Sequence, residues 1–130
     1  MSDVATVLHA HLAGHSGLNA LIGSRVYPVQ LPGTAVLPAI TYQRIDTMPV
    51  QHRSSQRANY GRPRFQIDGW ATTYGGASVL RKQIREAMGD FTREDEPRID
   101  VALLKDDRDI VESSPGRWRC SLDYHIWSED

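Results

Sequence analysis

The 130-residue chain has one cysteine, no long apolar run and almost no surplus charge. The single cysteine, Cys120, excludes an internal disulfide framework and fits a reducing cytosol. The opening residues MSDVATVLHAHLAGH carry neither a basic leader nor a continuous apolar stretch, so no secretion signal and no membrane span is expected. Such a protein acts inside the cell that makes it or leaves by lysis. A net charge of -1 lacks the positive excess of a free-standing nucleic-acid binder. With 40% hydrophobic and 24% charged residues, the composition is that of an ordinary globular chain. At this length about two-thirds of the unfolded surface can be buried in one core, so a single domain over 1–130 is expected. Neither an internal repeat nor a low-complexity tract interrupts it.

The common chemical motifs are missing too. FQIDGWATTYGG runs from a strand through glycines into a helix, which is the layout of a phosphate-binding loop. Such a loop needs glycines followed by Lys and Ser/Thr, or a spaced glycine triplet, so that backbone N–H groups converge on an anion. Here the first lysine, Lys82, comes two turns into the helix, and Gly75 and Gly76 read as a relaxed helix start. His9, His11 and His15 form H-x-H-x-x-x-H on the first helix. At helical spacing His11 and His15 share a face, but no carboxylate or cysteine at ligand spacing joins them, so solvent-facing or partner-facing histidines are expected rather than a metal site. Cys120 falls on the apolar parity of its strand and reads as a small core residue. No Ser/His/Asp set and no carboxylate pair can be assembled, so no enzyme, catalytic residue, metal or cofactor is expected.

What is present is an alternation of helical and strand patterns. Ser2 and Asp3 can cap a helix whose apolar face holds Val4, Val7, Leu8 and Leu12, ended by Gly14 and Gly17. A short second helix carries Leu18, Leu21 and Ile22 and leads to a strand near Arg25 to Tyr27. Three prolines between Pro28 and Pro38 impose an extended surface crossing. AITYQRID then opens a strand with Ile40 and Tyr42 on one face. From Met48 to Arg64 the apolar pattern disappears, which predicts a loop or arm at about 48–64. The next strand sets Phe65, Ile67 and Ala71 against Gln66, Asp68 and Trp70. Thr72 or Thr73 caps a long helix with the stripe Ala77, Leu80, Ile84, Ala87 and Met88, while Arg81, Lys82, Arg85 and Glu86 face water. The last third predicts a strand with Ile99, Val101 and Leu103 on one face, a turn over Asp106 to Asp109, and a half-buried strand. In that last strand Trp118, Cys120, Leu122, Tyr124 and Ile126 oppose Arg119, Ser121, Asp123, His125 and Trp127. The fold class is α+β: a mostly antiparallel sheet with one long helix packed on it and a helical N-terminus.

Charge is unevenly distributed. Between Asp46 and Asp68 no acid occurs, while Arg53, Arg57, Arg62 and Arg64 all fall there, a net charge of four positive. From Asp90 to Glu112 acids outnumber bases by five, with Asp106, Asp107 and Asp109 closely spaced. One reading is solvated loops. Another is a head-to-tail interface in which the basic arm of one subunit lies on the acidic edge of the next. An arginine arm on nucleic acid is disfavoured by the acidic surface elsewhere and the few aromatics beside the arginines.

Tyr27-Pro28, Leu31-Pro32, Leu37-Pro38-Ala39-Ile40-Thr41-Tyr42, Phe65-Gln66-Ile67-Asp68, Trp70-Ala71, Tyr74, and the closing Tyr124, Ile126 and Trp127 together resemble the tail-completion or tail-terminator proteins of long-tailed phages and gene transfer agents. The likeness covers nearly the whole chain, and its most specific parts are LPAITYQ and FQIDGWATTY. It implies a virion protein, assembled in host cytoplasm, that forms a hexameric ring at the head-proximal end of the tail tube. Such a ring ends tube polymerisation and offers the surface to which the DNA-filled head docks. The implied partners are copies of itself, the major tail tube protein and a head-tail connector or stopper protein, with DNA only in passage and no membrane. The family has no catalytic residues to carry over: Pro28, Pro32 and Pro38 would shape the crossing, and Phe65, Ile67 and Trp70 the central strand. Gly69 departs from the resemblance, which has a β-branched residue there, as do Gly75 and Gly76 in place of better helix formers. A near-neutral chain suits a channel that must not grip phosphates. A head-closure subunit of similar fold is the alternative, and a small metal- or nucleotide-dependent enzyme the alternative of another class.

Overall fold

A computed structural model describes residues 3–49, 60–112 and 114–129. Helix α1 (Val4–Gly14) begins where the Asp3 carboxylate accepts the Thr6 N–H at 2.8 Å. That hydrogen bond stabilises the charged form and holds the Asp3 carboxyl below its ordinary value. Val4, Leu8 and Leu12 are buried, one helical turn apart. α2 (Ser16–Ile22) follows at once and buries Leu18 and Ile22. Helix α3 (Tyr74–Gly89) starts at Thr73, whose Oγ1 accepts the Gly76 N–H at 2.9 Å, and buries the expected stripe Ala77, Leu80, Ile84, Ala87 and Met88.

Among the described residues five strands complete the fold: β1 (Val26–Pro28), β2 (Ala39–Pro49), β3 (Tyr60–Ala71), β4 (Arg98–Ile110) and β5 (Trp118–Glu129). They form one sheet in the order β1-β2-β3-β5-β4, parallel only between β1 and β2. The α+β class and the helical N-terminus agree with the sequence pattern. The helices cover one face, where Ile40, Tyr42, Phe65, Ile67, Leu122, Tyr124 and Ile126 join the helix stripes in a single core. Pro38 directly precedes β2, and its carbonyl accepts from Arg25 Nε at 2.9 Å. Tyr27 and Pro28 lie in the edge strand, while Trp70, half-buried on the other face of β3, donates its indole N–H to Thr41 Oγ1 at 3.0 Å.

Four local expectations change. The irregular stretch 48–64 narrows, because Met48 and Pro49 pair with Arg62 and Gly61 as the β2–β3 ladder continues past the apolar residues. Arg53 and Arg57 lie outside the described residues. Asp106 to Asp109 are strand, not turn: they pair with Asp123 to Cys120 of β5, since backbone pairing tolerates charged side chains at a sheet edge. Ile99, Val101 and Leu103 do not share a face. A register shift between Ile99 and Val101 flips the alternation, leaving Val101 37% and Leu103 47% exposed while Ala102 and Leu104 pack on the core. Finally, β5 is not half-buried. It lies between β3 and β4, and Ser121 and Asp123 on its polar parity are as buried as its apolar residues, whereas Trp118 lies opposite the last residue of β3 and is 46% exposed.

Gly69 has a spatial reason. A Cβ there would come within 2.8 Å of Leu80 Cδ2 and 2.9 Å of Cys120 Sγ, closer than side chains approach one another. Glycine lets α3 settle directly on β3, and the strand runs on through it to Ala71.

Candidate functional site

The sheet face opposite the helices is built from charge. Asp68 and Asp123 are both 4% exposed, carried inward by the two middle strands. Burial of a carboxylate is tolerated only with partners. Arg119 Nη1 reaches Asp68 at 3.1 Å, and Gln66 donates to both Asp68 oxygens at 3.1 and 3.0 Å. Arg64 and Arg108 approach Asp123 at 3.4 and 3.5 Å. Two cations stack on tryptophans: the Arg119 guanidinium lies 4.7 Å from the Trp70 ring centroid and that of Arg62 5.2 Å from Trp127. His125 sits among these arginines, and burial, then the charges of Arg62, Lys105 and Arg64, push its pKa down.

The predicted acidic edge is divided by the strand alternation. Asp107 and Asp109 turn to the helix side, Asp106 to the charged face. Each has an internal partner. Asp107 pairs with Arg81 at 3.1 Å and Arg85 at 3.8 Å, which raises the Arg81 pKa through that hydrogen bond. Asp109 accepts the Tyr74 hydroxyl at 2.9 Å, and this bond raises the tyrosine's pKa. Asp106 pairs with Arg108. Of the four arginines, Arg62 and Arg64 are drawn onto the charged face of β3. Arg64 thus pairs with Asp123 of its own copy.

The histidines are also separated. His15 lies between α1 and α2 in extended backbone, so it does not share a helical face with His11; its Nδ1 accepts the Leu18 N–H at 3.3 Å. His11 Nε2 donates to the Ala87 carbonyl at 2.6 Å, and His9 Nδ1 lies 3.0 Å from the Tyr42 hydroxyl. Cys120 is in the core, where burial pushes its thiol up to about 11, unsuited to a nucleophile.

A cleft of about 300 Å³, not foreseen from the sequence, opens at the end of the β4–β5 hairpin beside the start of α3. Tyr74 and Trp118 form its aromatic wall, edge to face with centroids 5.6 Å apart, and Ile110, Val111 and Pro115 continue it. The missed signal is a tryptophan and a tyrosine at the outer ends of elements whose inner residues already fill a core.

A family model described as tail completion protein gp17 matches residues 6–129. A solved chain from the virion of a native gene transfer agent particle has the same fold, with a TM-score of 0.76, 17% identity and coverage of 100% of both chains. No curated protein matches. With the family model spanning almost every residue of the sheet and helices described above, the chain belongs to the tail completion protein gp17 family.

Proposed function

We propose that the chain is a structural virion protein that forms a ring, a hexamer, at the head-proximal end of the phage tail tube. There it ends tube polymerisation and presents the surface to which the head docks. The family match over residues 6–129 carries this reading, and the shared fold with a gene transfer agent virion chain supports it. Its partners are copies of itself, the tail tube protein and a connector or stopper protein. The basic residues Arg53, Arg57, Arg62 and Arg64 of one subunit face Asp106, Asp107 and Asp109 of the next across a heterologous contact that closes into a ring.

Mass measurement of the purified protein, alone and mixed with tail tubes, tests the ring. A strictly monomeric species that never binds tube ends refutes it, and binding to the portal side without isolated tails assigns a head-closure role. Reversing Arg53, Arg57 and Arg62 to Glu together lowers the oligomer mass at moderate salt. Unchanged mass removes the arm from the contact, and the triple change is needed because exposed pairs contribute only about 0–1 kcal/mol each.

A further inference from the structure

The eighteen residues from Val26 to Gln43 contain no charge, although their middle forms a surface connection between β1 and β2. Surface loops are ordinarily polar. Here Val29 and Val36 are 63% and 62% exposed. Val29 has φ 69°, a left-handed conformation that a β-branched residue rarely adopts, pinned by its N–H bond to the Tyr42 carbonyl at 2.8 Å. Strain of this kind is retained where the surroundings or a function hold it.

At the other edge of the sheet is a receptor of matching chemistry. The cleft beside β4 is walled by Tyr74, 51% exposed, Trp118, 46% exposed, and Val111, 96% exposed. Both acids that line it are already engaged, Asp109 with the Tyr74 hydroxyl and Glu112 with Arg119 at 2.6 Å, while Ser114 and Arg117 add polar groups to the lining. The rest of the wall is aromatic and aliphatic, which suits an uncharged apolar segment whose backbone carbonyls can accept from Ser114 and Arg117.

We infer that the occupant is the loop of a second copy: the Val29–Val36 connection of one subunit seats in the Tyr74–Val111–Trp118 cleft of the next. The inference rests on the ring reading and deepens it. Loop and cleft belong to opposite ends of the strand order β1-β2-β3-β5-β4, so the contact is head-to-tail and repeats from subunit to subunit, as ring closure requires. An exposed tyrosine and tryptophan at its centre are the residue types that anchor protein interfaces.

The test uses two variants of the full chain. Val29→Asn with Val36→Asp spoils the loop and leaves the cleft intact, asparagine being tolerated at left-handed φ. Val111→Asp spoils the cleft and leaves the loop intact. All three positions are exposed, so each variant keeps the wild-type circular dichroism and melting profile, and a variant that loses them is replaced by Val36→Ser or Val111→Ser. Each variant alone should lose the ring, with subunit affinity reduced by at least about tenfold from burying a carboxylate in an apolar contact. Mixed one to one, the two variants should form a heterodimer and stop there, since one good loop meets one good cleft and the chain cannot extend. Rings that survive both changes overturn the inference, as does a mixture that yields no dimer. Rings that survive both changes but dissociate on added salt assign the contact to the arginines instead. A wild-type chain that never oligomerises, alone or on tails, removes the ring reading itself.

Discussion

Replacing Gly69 by alanine should destabilise the fold, although a strand interior ordinarily gains from that change. The new methyl group would lie 2.8 Å from Leu80 Cδ2, 3.0 Å from Leu80 Cγ and 2.9 Å from Cys120 Sγ. Both neighbours are fully buried, so neither can swing into solvent. Overpacking of this kind costs roughly 1–3 kcal/mol. The smaller conformational freedom of alanine in the unfolded chain offsets about 0.4–1 kcal/mol of it. The net loss is about 1–2 kcal/mol, a fall in Tm of roughly 3–8 °C for a chain of this length. Urea titration of four proteins settles the cause: wild type, Gly69→Ala, Cys120→Ala and the double variant. Removing the sulfur opens one side of the site, so Gly69→Ala should cost at least about 0.5 kcal/mol less in the Cys120→Ala background. A Gly69→Ala protein as stable as wild type, or an equal cost in both backgrounds, would refute the packing account of this glycine.

Two further outcomes are expected. Thr73→Ala removes the side-chain acceptor of the Gly76 N–H at the start of α3 and should cost about 1 kcal/mol in urea unfolding, with Thr73→Ser restoring most of it; equal stability of the alanine variant would mean that the cap is dispensable. Alkaline pH should weaken the fold in two stages. Burial raises Cys120 from its ordinary 9.0 to about 11 and Tyr124 from 10.0 to about 12. Both shifts are upward, so the stability they contribute is complete below the ordinary values and is lost as pH rises through about 11 and then about 12. The urea midpoint followed from pH 8 upward should fall above about 9, with Cys120→Ala removing the earlier part of the fall and Tyr124→Phe the later part; a midpoint flat across that range in wild type would count against burial as the cause.

The helices were legible because their signals are local. A cap residue and an apolar repeat of 3.6 lie within one stretch of chain, and the stripe of α3 was read residue for residue. Strand faces were legible where alternation is unbroken, as in Phe65 and Ile67. They failed in β4 because one register shift between Ile99 and Val101 reverses the alternation and a second between Leu104 and Asp106 restores it, and nothing in RIDVALLK marks where they fall. The burial of Asp68 and Asp123 was equally hidden. Their arginine partners on β3, β4 and β5 lie up to 59 residues away, the separation of Arg64 from Asp123, so only the register of the finished sheet brings them together. The same holds for the cleft: Tyr74 and Trp118 read as a fold marker and a core residue until α3 and β5 place them side by side.

That internal pairing changes how the uneven charge of the chain bears on assembly. Asp107 and Asp109 already hold Arg81 and Tyr74, and Asp106 holds Arg108. An arginine from a neighbouring subunit must share these carboxylates rather than find them free, which lowers the net gain of each contact and leaves it exposed to screening by salt. Among the described residues, the exposed valines of the loop and the aromatic wall of the cleft have no such competitor. In the proposed ring, desolvation of Val29, Val36, Tyr74 and Trp118 would therefore supply the strength of the contact, while the charged edges would set its orientation and the rate of encounter. On this division salt should slow ring formation more than it weakens the formed ring, since screening acts on the approach of charges and leaves apolar burial almost unchanged.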